Sequence, residues 1–179
     1  MKTCPSCGSN LKQKNYNGVR IDECERCNGM WFDKDELRRA KDATDDDLRW
    51  LDFDLFEKKE GKFSAIKTDK KCPSCSSQMQ SLQYMDSKVT IDVCPSCNGV
   101  WLDNNELKKI VQYLENIVVS KTSSEYTGDM AKQFQEIITG PESTASELKD
   151  FLAVVRLFDQ RLLAENHWLS DIITYWPIR

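Results

Sequence analysis

The chain has 179 residues, eight cysteines, one histidine and a formal net charge of −4. Charged residues make up 30% and hydrophobic residues 40%, an ordinary balance for a globular chain, and no apolar run reaches the 18 residues a membrane helix needs. The charge argues against a generally sticky nucleic-acid binder, and a single histidine leaves little room for imidazole acid–base chemistry.

The chain opens on two C-x-x-C pairs, Cys4/Cys7 and Cys24/Cys27, with sixteen residues between Cys7 and Cys24. Met1 to Cys7 contains no apolar signal-like stretch, so a reducing, cytoplasmic setting is expected and disulfides are disfavoured. The pair–spacer–pair pattern is that of a four-thiolate zinc site. Each C-x-x-C turn offers two sulfurs to one ion, and the spacer suits two short strands and a turn. Four thiolates leave no open coordination position, so such a metal is structural. Iron also takes four sulfurs in a tetrahedron, and the sequence leaves that alternative open.

After Cys27 come Asn28 and Gly29, which tolerate positive φ and let the backbone wrap a metal with N–H groups aimed at sulfur. Trp31 is expected to cover the metal site or pack on the hairpin, because so small a unit has little other core. Asp33 and Glu36 have capping-box spacing and predict a helix from about Lys34 to Lys41. Ile21 is expected in the core, and Asp22 as a turn or backbone acceptor.

Thr44 or Asp45 can cap a further helix carrying Leu48, Trp50, Leu51, Phe53, Leu55 and Phe56. Glu60 to Lys71 is polar and reads as a linker. The opening pattern then repeats. Cys72, Cys75, Cys94 and Cys97 have eighteen residues in their spacer, and both copies end in C-N-G-x-W-x-D-x-x-E-L. The two extra residues of the second copy lie between its cysteine pairs, where a hairpin turn tolerates insertion. Trp101, Asp103 and Glu106 repeat the earlier roles, with a helix predicted from Asn104 to about Val119. Lys121 to Gly128 reads as a polar break. Asp129 to Thr139 predicts a helix, and Thr144 to Glu147 caps another that runs to about Asn166. The tail from His167 to Arg179 is rich in Trp, Ile and Tyr, and either folds back or binds another protein.

The stretch CPxC, hairpin, I-D-x-C-x-x-C-x-G-x-W-x-D-x-x-E-L resembles the TFIIB-type zinc-ribbon family, over roughly residues 2–40 and 70–110. Asn28 and Asn98 stand where many members carry Gly, and Asn fills that left-handed position. The resemblance implies metal-stabilised β-ribbons and a possible link to transcription. The expected fold is therefore α+β, small and metal-stabilised. It comprises a ribbon with short helix (1–41), an acidic amphipathic helix and linker (42–70), a ribbon with long helix (71–120) and a helical C-terminal region (121–179). Two Zn2+ per chain are expected on Cys4, Cys7, Cys24, Cys27, Cys72, Cys75, Cys94 and Cys97.

No segment is strongly basic: residues 1–40 hold 8 basic and 6 acidic groups, and residues 41–60 hold 4 and 8. Each site loses four thiol protons and gains a 2+ ion, so two sites take the formal charge from −4 to −8. Lys12, Lys14, Arg20 and Arg26 could still form a local basic face on the first ribbon. No P-loop, dinucleotide fingerprint or nucleophile elbow is present. Three function classes remain. The first is a non-enzymatic module binding another protein, or a second copy, through apolar helices or the tail. The others are a nucleic-acid-binding ribbon and a thiol-based redox sensor or chaperone.

Overall fold

The computed structural model describes residues 1–51, 66–140 and 142–166. Their contacts divide into two units. The first is built from Met1–Asp45 and Asp52–Glu115, the second from Asp46–Leu51 and Asn116–Arg179.

The first unit is a seven-stranded antiparallel sheet with strand order β1-β2-β3-β7-β6-β5-β4. Strands β1 (Lys12–Tyr16) and β2 (Val19–Glu23) form a hairpin. Its two-residue turn is Asn17-Gly18, with φ of 48° and 87°. Positive φ at both positions is what a type I′ turn demands, and its twist matches the strands it joins. The second repeat builds the same hairpin from β5 (Gln78–Gln83) and β6 (Thr90–Val93). Its loop from Met85 to Lys88 is closed by Tyr84 N–H donating to the Val89 carbonyl. The two extra residues of the second copy thus fall in the turn, as expected.

Strand β3 (Met30–Phe32) pairs with β2, and β7 (Val100–Leu102) pairs with β6. The repeats then join edge to edge. β3 runs antiparallel to β7 with Met30 opposite Leu102, Trp31 opposite Trp101 and Phe32 opposite Val100. This pairing relates the repeats by an approximate two-fold axis through the tryptophan pair. It also covers two edges that would otherwise expose unpaired backbone groups. The unit shares one core, in which Leu11, Met79 and both tryptophans pack with the cysteines of both repeats except the exposed Cys75.

Ile66–Lys71, expected as linker, is strand β4, paired with β5. Its side chains are mostly exposed, so an edge strand held by backbone bonds carries no apolar alternation to read. Helices α1 (Glu36–Asp42) and α2 (Glu106–Ser120) each begin two residues later than the capping pattern predicts. The apolar stripe of α2, Leu107, Ile110, Val111 and Leu114, is buried as expected.

In the second unit, Asp46–Leu48 forms a 3₁₀ turn where a longer helix was expected; Phe53, Leu55 and Phe56 lie outside the described residues. Helix α3 (Ser123–Thr139) starts six residues before its expected first residue. Thr122 and Glu125 form a reciprocal capping box inside the stretch that reads as a break. Helix α4 (Thr144–Glu165) packs against α3, and its cap is Ser143 rather than Thr144, through a bond from Ser146 N–H. Among the unit's described residues, Leu48, Trp50, Leu51, Tyr126, Ala153, Val154 and Leu157 are buried apolar groups. The Trp50 and Tyr126 rings meet edge-on at 6.0 Å, and Arg49 pairs with buried Asp150 at 3.0 Å. His167 and the tail lie outside the described residues.

Candidate metal centres

All four cysteine pairs close the same loop. In each, the N–H of the first cysteine donates to a carbonyl five residues on, and its carbonyl accepts from the residue four on. The pairs are Cys4 with Ser9 and Gly8, Cys24 with Gly29 and Asn28, Cys72 with Ser77 and Ser76, and Cys94 with Gly99 and Asn98. Closing so tight a loop turns the fourth residue left-handed. Accordingly φ is 75° at Gly8, 56° at Asn28, 60° at Ser76 and 57° at Asn98. The asparagines therefore do what was expected of them. Gly29 and Gly99 do not adopt positive φ, and their role proves to be different.

The loops bring the sulfurs together in two groups, Cys4/Cys7/Cys24/Cys27 and Cys72/Cys75/Cys94/Cys97, each with its sulfurs within 4.8 Å of one another. Across the pairs, Cys7 Sγ lies 3.4 Å from Cys24 Sγ, and Cys4 Sγ lies 3.5 Å from Cys27 Sγ. In the second group the corresponding separations, Cys72 to Cys97 and Cys75 to Cys94, are both 3.5 Å. A zinc–sulfur bond of 2.3 Å implies a tetrahedral edge of about 3.8 Å, so both groups fit the ion. None of the eight is in a disulfide.

The electrostatics suit a cation. Burial pushes the Cys4 thiol up to about 12 and raises Cys72 as well. Hydrogen bonds from Ser9 and Ser77, side chain first and then backbone, pull Cys7 and Cys75 down to about 6. With the Cys4 and Cys72 thiols raised in this way, each group becomes a full set of thiolates only when a cation compensates the charge. In the first loop of the second site, where no donors were expected, Ser74 N–H and Cys75 N–H each lie 3.4 Å from Cys72 Sγ.

Around these groups the aspartates take roles the capping reading missed. Glu36 does reach back, accepting from Asp33 N–H at 2.9 Å, and Glu106 does the same to Asp103 at 2.8 Å. The Asp carboxylates turn away from the helix. Asp33 Oδ1 accepts from Trp31 Nε1 at 2.8 Å and from Ser74 Oγ of the other repeat at 2.9 Å. Asp103 Oδ1 accepts from Trp101 Nε1 at 2.8 Å and from Ser6 Oγ of the other repeat at 2.8 Å. Burial works against both carboxylates, yet these bonds and the lysines beside them hold both below the usual carboxylate range.

Those lysines are equivalent. Lys2 Nζ bridges Asp22 at 2.7 Å and Asp33 at 2.6 Å, and Lys70 Nζ bridges Asp92 at 2.6 Å and Asp103 at 2.9 Å. Asp22 and Asp92 are thus ion-pair acceptors, not the turn or backbone acceptors expected. The signal was present in the repeat: both copies read K-x-C-P-S-C, which places Lys and Ser at matching positions.

Two hairpins, each closing four sulfurs between a pair of C-x-x-C loops, define tandem Cys4 zinc ribbons, and two such groups support two zinc ions per chain. Residues 3–43 and 71–113 both match the transcription factor zinc-finger model, the TFIIB-type zinc ribbon, consistent with two tandem copies of it. No curated protein and no solved structure matches the chain. Zinc ribbons of this kind are typically non-enzymatic.

Proposed function

We propose that the eight cysteines ligate two structural zinc ions and that the chain is a non-enzymatic module for binding another protein, in a regulatory role linked to transcription. The observation that carries the reading is the closed four-sulfur set: it leaves the metal no position for water or substrate. The free thiols suit a reducing compartment such as the cytoplasm. No described helix is long and apolar enough to cross a membrane. Apolar side chains for a protein contact are available at helical spacing. Phe134 and Ile138 on α3 are 57% and 74% exposed, and Leu148 and Leu152 on α4 are 46% and 55% exposed. X-ray absorption should find four sulfurs about 2.3 Å from each zinc. A partner captured by the full chain should be lost in Phe134→Glu/Leu152→Glu while zinc content stays at two. Retention of the partner by that variant would refute this contact surface.

A second reading, nucleic-acid binding, draws on a cleft between the first hairpin and α1. Lys14, Arg20 and Arg39 line it beside Glu36. A salt titration decides between the readings, because phosphate-driven affinity is largest at low ionic strength. Absence of DNA or RNA binding there excludes the second.

A further inference from the structure

We propose that the two sulfur sites fill cooperatively, a cation in one raising the affinity of the other. The inference rests on the reading that the eight thiolates are the ligands. Its substance is the way each repeat's metal loops are held by the other repeat.

Ser6 lies inside the Cys4–Cys7 loop. Its hydroxyl is 2.8 Å from Asp103 Oδ1 and 3.1 Å from Trp101 Nε1, residues almost a hundred positions away in sequence. The second loop of the same site, Cys24–Cys27, closes on the Gly29 carbonyl. A Cβ on Gly29 would lie 2.2 Å from Cζ2 of the same Trp101 ring. Trp101 therefore contacts both ligand loops of the first site, although it belongs to the second repeat. Trp31 mirrors it. The Cys72–Cys75 loop supplies Ser74 to Asp33, the acceptor of Trp31 Nε1. Gly99, which closes the Cys94–Cys97 loop, has the Trp31 ring 2.2 Å from where its Cβ would be. Both tryptophans are fully buried in one core with both sets of buried sulfurs.

In small metal domains the binding free energy of the ion is folding free energy. Here each repeat's ligand loops close on their own backbone but are bonded to the aspartate and packed on the tryptophan of the other, and the β3–β7 pairing requires both. The first ion therefore orders much of the frame that the second one uses. By linkage the effect is reciprocal between the sites. Two ribbons joined as independent beads would show no such coupling.

The test is native mass spectrometry of the zinc-loaded full chain under reducing conditions while a chelator removes zinc stepwise. Independent sites of equal affinity put half of the molecules in the one-zinc form at half loading, and independent sites of unequal affinity put more than half there. A roughly ten-fold coupling, within the usual range, lowers that share to about a quarter. A share at or above half overturns the proposal. A chain carrying no zinc before chelator is added overturns the ligand reading itself. Ser6→Ala/Ser74→Ala keeps every sulfur and both tryptophans; it should still bind two zinc ions, with the one-zinc share rising toward half. An unchanged share in that variant overturns the assignment of the coupling to these bonds.

Discussion

Trp31 and Trp101 face each other across the β3–β7 pair, and each ring occupies the space over the glycine of the opposite repeat. The repeated W in C-N-G-x-W thus serves the neighbouring ribbon's G, not its own. Each ribbon supplies too few apolar residues for a core of its own, and the exchange of tryptophans gives both a shared one.

Gly99→Ala places a methyl group 2.2 Å from Trp31 Cζ2 and 3.1 Å from the Phe32 carbonyl. The ring is enclosed on all sides, so the overpacking should destabilise the first unit by about 1–3 kcal/mol in chemical denaturation. Gly128→Ala is the control. It lies inside α3 with nothing within 4 Å of the new methyl group. There the gain in helix propensity should raise stability by about 0.5–1 kcal/mol.

Asp33→Ala removes the acceptor of a buried indole N–H and one of two carboxylates on Lys2. A buried donor left without a partner should lower stability by about 1–3 kcal/mol. Asp33→Asn keeps an oxygen at Oδ1 and should recover most of that loss. Were Asp33 only a helix cap, its replacement would leave the Trp31 indole N–H resonance unmoved; a large shift in its NMR position is expected instead.

Tyr126 gives the second unit an alkaline limit. Its hydroxyl donates to the Val118 carbonyl at 2.8 Å, and burial pushes its ionisation from 10 up to about 12. The folded state holds the proton where the unfolded chain releases it. Stability from this group is complete below pH 10 and falls as pH rises from 10 towards about 12. Tyr126→Phe should lose about 1 kcal/mol at neutral pH and show a weaker fall over that range. An identical alkaline fall in the variant would show that Tyr126 is not its source.

The metal groups were legible because ligand chemistry fixes residue type and spacing together. The hairpins were legible because the spacer length suits two strands and a turn and the two-residue insertion marks that turn; Asn17-Gly18 is a further turn signal that went unread. The joining of the repeats was not, since pairing of β3 with β7 depends on edges that no local pattern records. Asp33 and Asp103 match a capping box in sequence, but an indole N–H and a serine from the other repeat compete for their oxygens and win. Strand β4 escaped notice because its exposed lysines look like linker. The start of α3 escaped because Thr122 to Glu125 sits among small polar residues that also suit a break.

On the proposed ligation, sulfur-held metal, and not apolar burial alone, keeps the first unit folded. Amide NMR of the full chain, recorded before and after complete zinc removal under reducing conditions, tests it most directly. Loss of dispersed signals from β1 to β7, including both tryptophan indoles, is the predicted result; an unchanged spectrum for those strands would contradict it.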